Sequence, residues 1–68
     1  MIHLTINGNP RQFDIERLTV GELVEKLGLA GKRLAIERNG EIVPRGSFVE
    51  TVLSSGDKLE IVGAVGGG

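Results

Sequence analysis

The stretch Leu18-Thr19-Val20-Gly21-Glu22-Leu23 constrains this chain more than any other, because it marks the start of its one sustained helix. Thr19 can accept a hydrogen bond from the first helical turn, and Glu22, three residues on, can reach back to the Thr19 amide, which makes a capping box. Leu18 and Leu23 stand where a hydrophobic staple would clamp the helix entry. Val20, Leu23, Val24 and Leu27 then recur at three-to-four spacing, so a single stripe faces a core. Gly28 is the expected stop. The fold must therefore be built from one short helix and whatever that helix covers.

The rest of the chain reads as strands. Ile2, Leu4 and Ile6 alternate with His3 and Thr5, the period of a half-buried strand. Asn7-Gly8-Asn9-Pro10 is a dense turn signal. Arg11 to Ile15 alternates again, with Phe13 and Ile15 inward, so the N-terminal segment is expected to form a β-hairpin. Leu34 to Arg38 is a third strand, and Asn39-Gly40 is a strong short hairpin signal leading to Glu41-Ile42-Val43, which Pro44 ends. From Arg45 to Ser54 the pattern is mixed, with Phe48, Val49, Val52 and Leu53 expected to pack a short helical turn or loop. Ser55-Gly56-Asp57 is a further turn, and Lys58 to Val62 forms the last strand with Leu59 and Ile61 inward.

This order predicts an α+β fold of the β-grasp, ubiquitin-like kind: a mixed sheet of four to five strands covered on one face by one main helix. A ferredoxin-like unit needs a second full helix, which Arg45–Ser54 is too short and irregular to supply. Residues 1–63 are expected to form the domain, and 64–68 a flexible glycine tail.

Composition narrows the function. A chain of 68 residues has little spare volume for an enclosed catalytic pocket, which usually needs several hundred cubic ångströms or more. There is no cysteine, and His3 is the single histidine, so a structural zinc site lacks its ligands. Eight Lys plus Arg balance nine Asp plus Glu, and Phe13 and Phe48 are the only aromatic residues. Nucleic-acid binding calls for a basic excess and stacking rings, and neither is present. No apolar run approaches a membrane span, and the first residues resemble no secretory leader. A cytoplasmic protein without bound cofactor, membrane contact or nucleic acid is the expectation. His3 is expected on an outward strand face with no triad partner, and the carboxylates, Asp57 included, lie scattered among basic residues as on a solvated surface.

The end of the chain, Val62-Gly63-Ala64-Val65-Gly66-Gly67-Gly68, is the remaining feature. Five extended residues would project roughly 17 Å past the sheet at about 3.3–3.6 Å each. Without side chains, such a segment can thread a narrow channel in a partner and adopt the dihedrals it imposes. The α-carboxylate of Gly68 would be its one chemical handle, inert to nucleophiles until adenylation by ATP supplies a leaving group. On composition alone, a frayed or added end fits equally well.

The β-grasp pattern, the stretch Glu37 to Arg45 (ERNGEIVPR), the stretch Ser55 to Val62 (SGDKLEIV) and the terminal GGG together resemble the ThiS family of thiamine-pathway sulfur carriers, over essentially the whole chain. The resemblance implies a protein substrate rather than an enzyme. Its final glycine, Gly68 here, would be adenylated by an E1-like, ThiF-type enzyme that consumes ATP, and then converted to a thiocarboxylate. A donor such as a cysteine desulfurase would supply the sulfur, and the thiocarboxylate would pass it to a ThiG-type thiazole synthase. Gly66 and Gly67 would thread the partner's active site, although the pattern strictly needs only two glycines. The small subunit of molybdopterin synthase and a lysine-conjugating ubiquitin-like modifier are the alternatives.

The resemblance also suggests a docking patch beside the tail, formed by Val62, Val65 and whichever of Ile42 or Val43 faces solvent. Packing of these residues against the segment around Phe48 is the competing reading. Arg38 and Arg45 would supply rim charges, or be merely solvated.

Overall fold

A computed structural model of the chain describes residues 1–63. Strands β1 (Ile2–Ile6) and β2 (Asn9–Phe13) precede helix α1 (Val20–Lys26). Strands β3 (Leu34–Arg38) and β4 (Glu41–Ile42), a 3-10 turn at Arg45–Ser47, and β5 (Lys58–Gly63) follow. The five strands form one sheet in the order β2-β1-β5-β3-β4. β1 and β5 run parallel at its centre, and the other neighbours are antiparallel. This is the expected β-grasp sheet.

Both bonds of the capping box form: Glu22 N donates to Thr19 Oγ1 at 3.1 Å, and Thr19 N donates to Glu22 Oε1 at 2.8 Å. Leu18 and Leu23, the staple pair, are both fully buried. At the other end Gly28 takes φ +74°. Its amide donates to Glu25 O, and that of Leu29 to Val24 O, which is the paired closure of a Schellman motif. Thr19→Ala removes one half of the box, so thermal or denaturant unfolding should show a loss of about 1 kcal/mol.

The core lies between α1 and one face of the sheet. Val20, Leu23 and Val24 from the helix meet Ile2, Leu4, Ile6, Ile36, Leu59 and Ile61 from the strands, with Leu18, Val43 and Leu53 closing the edges. Phe13, Ile15 and Phe48 pack partly buried against this cluster. The period-two alternation of β1, β3 and β5 thus sends one set of side chains inward and the other to the far face.

Two local expectations needed correction. The first turn occupies only Asn7-Gly8, both at positive φ (50° and 83°), so β2 starts at Asn9 and ends at Phe13 rather than running to Ile15. Such a primed turn matches the twist of the flanking strands and needs just two residues. Pro10 is tolerated inside β2 because β2 is an edge strand and Pro10 opposes Thr5, whose own amide points the other way, to Asp57 O on the β5 side. The second correction is Val49, which is 79% exposed instead of packed. The amides of Glu50 and Thr51 both donate to Ser47 O, and this turn carries Val49 outward while Phe48 and Leu53 reach the core. Val52 is half-buried and bridges Thr19.

Candidate functional site

The candidate site begins at the strand that leads to the terminus. β5 is the central strand, flanked by β1 and β3, and its pairing with β3 extends from Arg38↔Leu59 to Leu34↔Gly63. Two asparagine side chains add to the hold on β5, Asn7 just past β1 and Asn39 just past β3. Asn7 accepts from Ile61 N at 2.7 Å and donates to Ile61 O at 3.0 Å, and its own amide donates to Leu59 O. Asn39 makes a related clamp at the start of the strand: its Oδ1 accepts from Lys58 N at 2.9 Å, and its backbone N donates to Lys58 O. Each is the first residue of an Asn-Gly turn at positive φ, a conformation that asparagine tolerates better than most residues. The turn chemistry that made these asparagines recognisable in the sequence therefore has a second use, as clamps on β5.

Asp57, expected on a solvated surface, is buried at the foot of the same strand. Its Oδ2 accepts from Arg38 Nε and Ser54 N, both at 2.8 Å, and its Oδ1 accepts from Asn39 Nδ2 at 3.0 Å. Arg38 is thereby a structural partner on the inner side of the hairpin, not a free rim charge. The Ser-Gly-Asp turn signal concealed this, because burial of Asp57 depends on contacts 18 and 19 residues away in sequence.

Burial alone would push the Asp57 carboxyl up, but the Ser54 amide, Asn39 and the Arg38 hydrogen bond and charge outweigh it and hold the group below its ordinary 3.8. A depressed folded-state pKa means that the native state binds fewer protons, so this contribution is present above the ordinary value and lost as pH falls below it. Asp57→Asn should lower stability at neutral pH by about 1–3 kcal/mol, since it leaves Arg38 without its counter-charge. The gap between wild type and variant in urea titrations should narrow as pH falls below 3.8.

The sheet face away from α1 carries the other candidates. Ile42 pairs with Glu37, and Val62 with Ala35, and both apolar side chains are exposed, at 65% and 57%. Val43 is not part of this surface: it is buried in the core, and its amide donates to Ile36 O. Alternation along the strand requires this, since Val43 falls one position after Ile42 and so takes the opposite face. Arg45 is exposed at the start of the 3-10 turn, and His3 is exposed on β1, where its backbone amide donates to Ser55 Oγ and its carbonyl accepts from Gly56 N. Val65 and the three glycines Gly66, Gly67 and Gly68 lie outside the described residues, as does the whole proposed tail, 64–68.

Among the described residues, no three His, Asp or Glu side chains converge as a metal site would require. The open groove beside the helix start is lined by Thr19, Gly21, Glu22, Glu25 and Val49, and Glu22 is already engaged in the cap. No helix there is long and apolar enough to cross a membrane.

Known proteins were compared on sequence and on fold. The ThiS family model matches residues 4–68. A sulfur carrier protein ThiS from Bacillus subtilis is 34% identical over 65 residues, which cover 96% of this chain and 98% of that one. A thiazole synthase from Paramagnetospirillum magneticum is 46% identical over 65 residues, and the chain spans only 20% of its length. A second thiazole synthase, from Magnetococcus marinus, is 39% identical, again over 20% of its length. The crystal structure of a thiamine biosynthesis protein (ThiS) from Geobacter metallireducens superposes with a TM-score of 0.86 at 38% identity, covering 98% of this chain and 100% of that one. A match of the family model to nearly the whole chain, with a solved relative of the same fold, places it: the chain belongs to the ThiS family.

Proposed function

We propose that this chain is a sulfur carrier of thiamine biosynthesis, a protein substrate that works through the carboxylate of Gly68. An E1-like, ThiF-type partner binds ATP, and a Gly68 carboxylate oxygen attacks its α-phosphorus, releasing pyrophosphate and leaving an acyl adenylate. A persulfide charged by a donor such as a cysteine desulfurase then attacks the carbonyl with its outer sulfur, AMP departs, and a second thiol cleaves the acyl disulfide so formed, leaving the thiocarboxylate and a new disulfide. The resulting thiocarboxylate gives up its sulfur to a ThiG-type thiazole synthase. The observation that carries this reading is the extent of the family match, which runs through the terminal glycines. Whole-length similarity to a protein named a sulfur carrier supports it further.

The described fold supplies what such a carrier needs. β5, the strand that precedes residues 64–68 in sequence, is held by both neighbours and by the Asn7 and Asn39 clamps. Exposed Ile42 on β4 and Val62 on β5 offer a partner-docking surface on the sheet's outer face, with Val65 following in sequence. The two thiazole synthases that contain a matching segment support a partnership with that enzyme. The thiamine names among the relatives favour this branch over molybdopterin synthesis.

The activating enzyme should exchange labelled pyrophosphate into ATP only when this chain is present. Exchange at the background rate would refute the adenylation step. Higher-mass conjugates on a denaturing gel, formed with ATP and the activating enzyme, would instead point to a modifier.

A further inference from the structure

We infer that Glu37 and Glu60 together receive a basic side chain of the thiazole synthase, with Ile42 and Val62 as the apolar contacts around it; this rests on the carrier reading above. The two glutamates are direct cross-strand partners on β3 and β5, and both are exposed on the face away from the helix. Like charges placed directly opposite one another on a sheet destabilise it. Neither glutamate has an ion-pair partner among the described residues: the one pair there is Arg38 with Asp57, and Lys58, two positions before Glu60 on the same strand, makes none. A sequence that keeps a locally unfavourable pair without an ion-pair partner commonly does so at a functional site.

The surroundings specify the chemistry of the occupant. Ile42 sits across from Glu37, and Val62 follows Glu60 by one strand period, so exposed apolar surface adjoins the carboxylates. A side chain that combines an apolar stem with a forked cation fits such a surface, and arginine does so with bidentate geometry. The choice of enzyme follows from the relatives named thiazole synthase, in which the matching segment belongs to the same polypeptide. Joining two modules in one chain raises the effective concentration of one at the other. Glu60 and Val62 also lie on the strand that ends at Gly63, next in sequence to residues 64–68, so an enzyme seated on this face contacts that strand.

The test is titration calorimetry of the full chain against its thiazole synthase, comparing wild type, Glu37→Gln/Glu60→Gln, and Glu25→Gln on the helix as control. The double variant should bind about tenfold or more weakly, because the partner's cation loses its buried counter-charges, and its Tm should match or exceed that of wild type. Glu25→Gln should bind as wild type does. Equal affinity for wild type and double variant overturns the inference, as does a failure of wild type to bind. A lowered Tm in the double variant also overturns it, by showing that the glutamates serve the fold. Loss of binding to the activating enzyme alone, or of self-association in sedimentation, would assign the face to another occupant and reject this one. Pyrophosphate exchange measured on the same proteins separates these outcomes from failure of the carrier reading, which it tests independently.

Discussion

Leu23→Ala is expected to destabilise the domain by about 2–5 kcal/mol, the usual range for truncating a buried leucine. Leu23 is fully buried, and it belongs at once to the staple, to the apolar stripe of α1 and to the central cluster with the sheet. The helix is only seven residues long, too short to persist on its own, so its stability comes from packing this stripe. A domain of this size has few kilocalories to spare: below roughly 70–80 residues a single core rarely supplies more than about 3–5 kcal/mol. The variant should therefore be largely or wholly unfolded at 37 °C by circular dichroism. A loss under about 1 kcal/mol would mean that the core collapses around the truncation, contrary to the packing described.

Deletion of Gly67 and Gly68 should have the opposite profile. All twelve buried core residues found among the described ones lie between Ile2 and Ile61, so the Tm should stay within about a degree of wild type. Activation, by contrast, should fall to background, because the shortened chain ends at Gly66 and its carboxylate sits two residues short of the partner's nucleotide. At about 3.3–3.6 Å per residue, that is a displacement of roughly 7 Å, far beyond what a reacting geometry tolerates. Deleting Gly68 alone tests which glycine is the reactive one. Normal thermal stability with abolished pyrophosphate exchange is the expected pair of results; unfolding of either deletion would make the end structural and argue against a carrier.

Much of the fold was legible because local rules and tertiary packing agree. The capping box at Thr19 and Glu22, the alternation of Ile2 to Ile6, and the Asn39-Gly40 turn each formed as their residue types dictate. What could not be read required knowledge of distant neighbours. Asp57 looks like any turn carboxylate until Arg38 and Asn39 arrive from the β3–β4 hairpin. The clamps made by the Asn7 and Asn39 side chains are invisible until β5 lies between the two turns. Val49 looked like a core residue because it stands beside Phe48 in an apolar run, and only the turn closed by Ser47 O shows that it faces outward. The choice between Ile42 and Val43 was open in the sequence because a two-residue strand is too short to show its own alternation, and the pairing with Glu37 and Ile36 decided it. The Glu37–Glu60 opposition needed the register of β3 against β5, which no single strand encodes. The functional end was legible chiefly through resemblance, since three glycines alone do not distinguish a carrier from a frayed terminus.

The central claim is that sulfur travels on the last carboxylate, and intact-mass spectrometry tests it most directly. The chain is incubated with ATP, its activating enzyme and a sulfur donor, then weighed, and fragmented to locate any change. The account predicts replacement of one oxygen by sulfur at Gly68, absent when ATP is omitted. An unchanged mass in the presence of an activating enzyme shown to load another carrier, or sulfur found elsewhere in the chain, would contradict it.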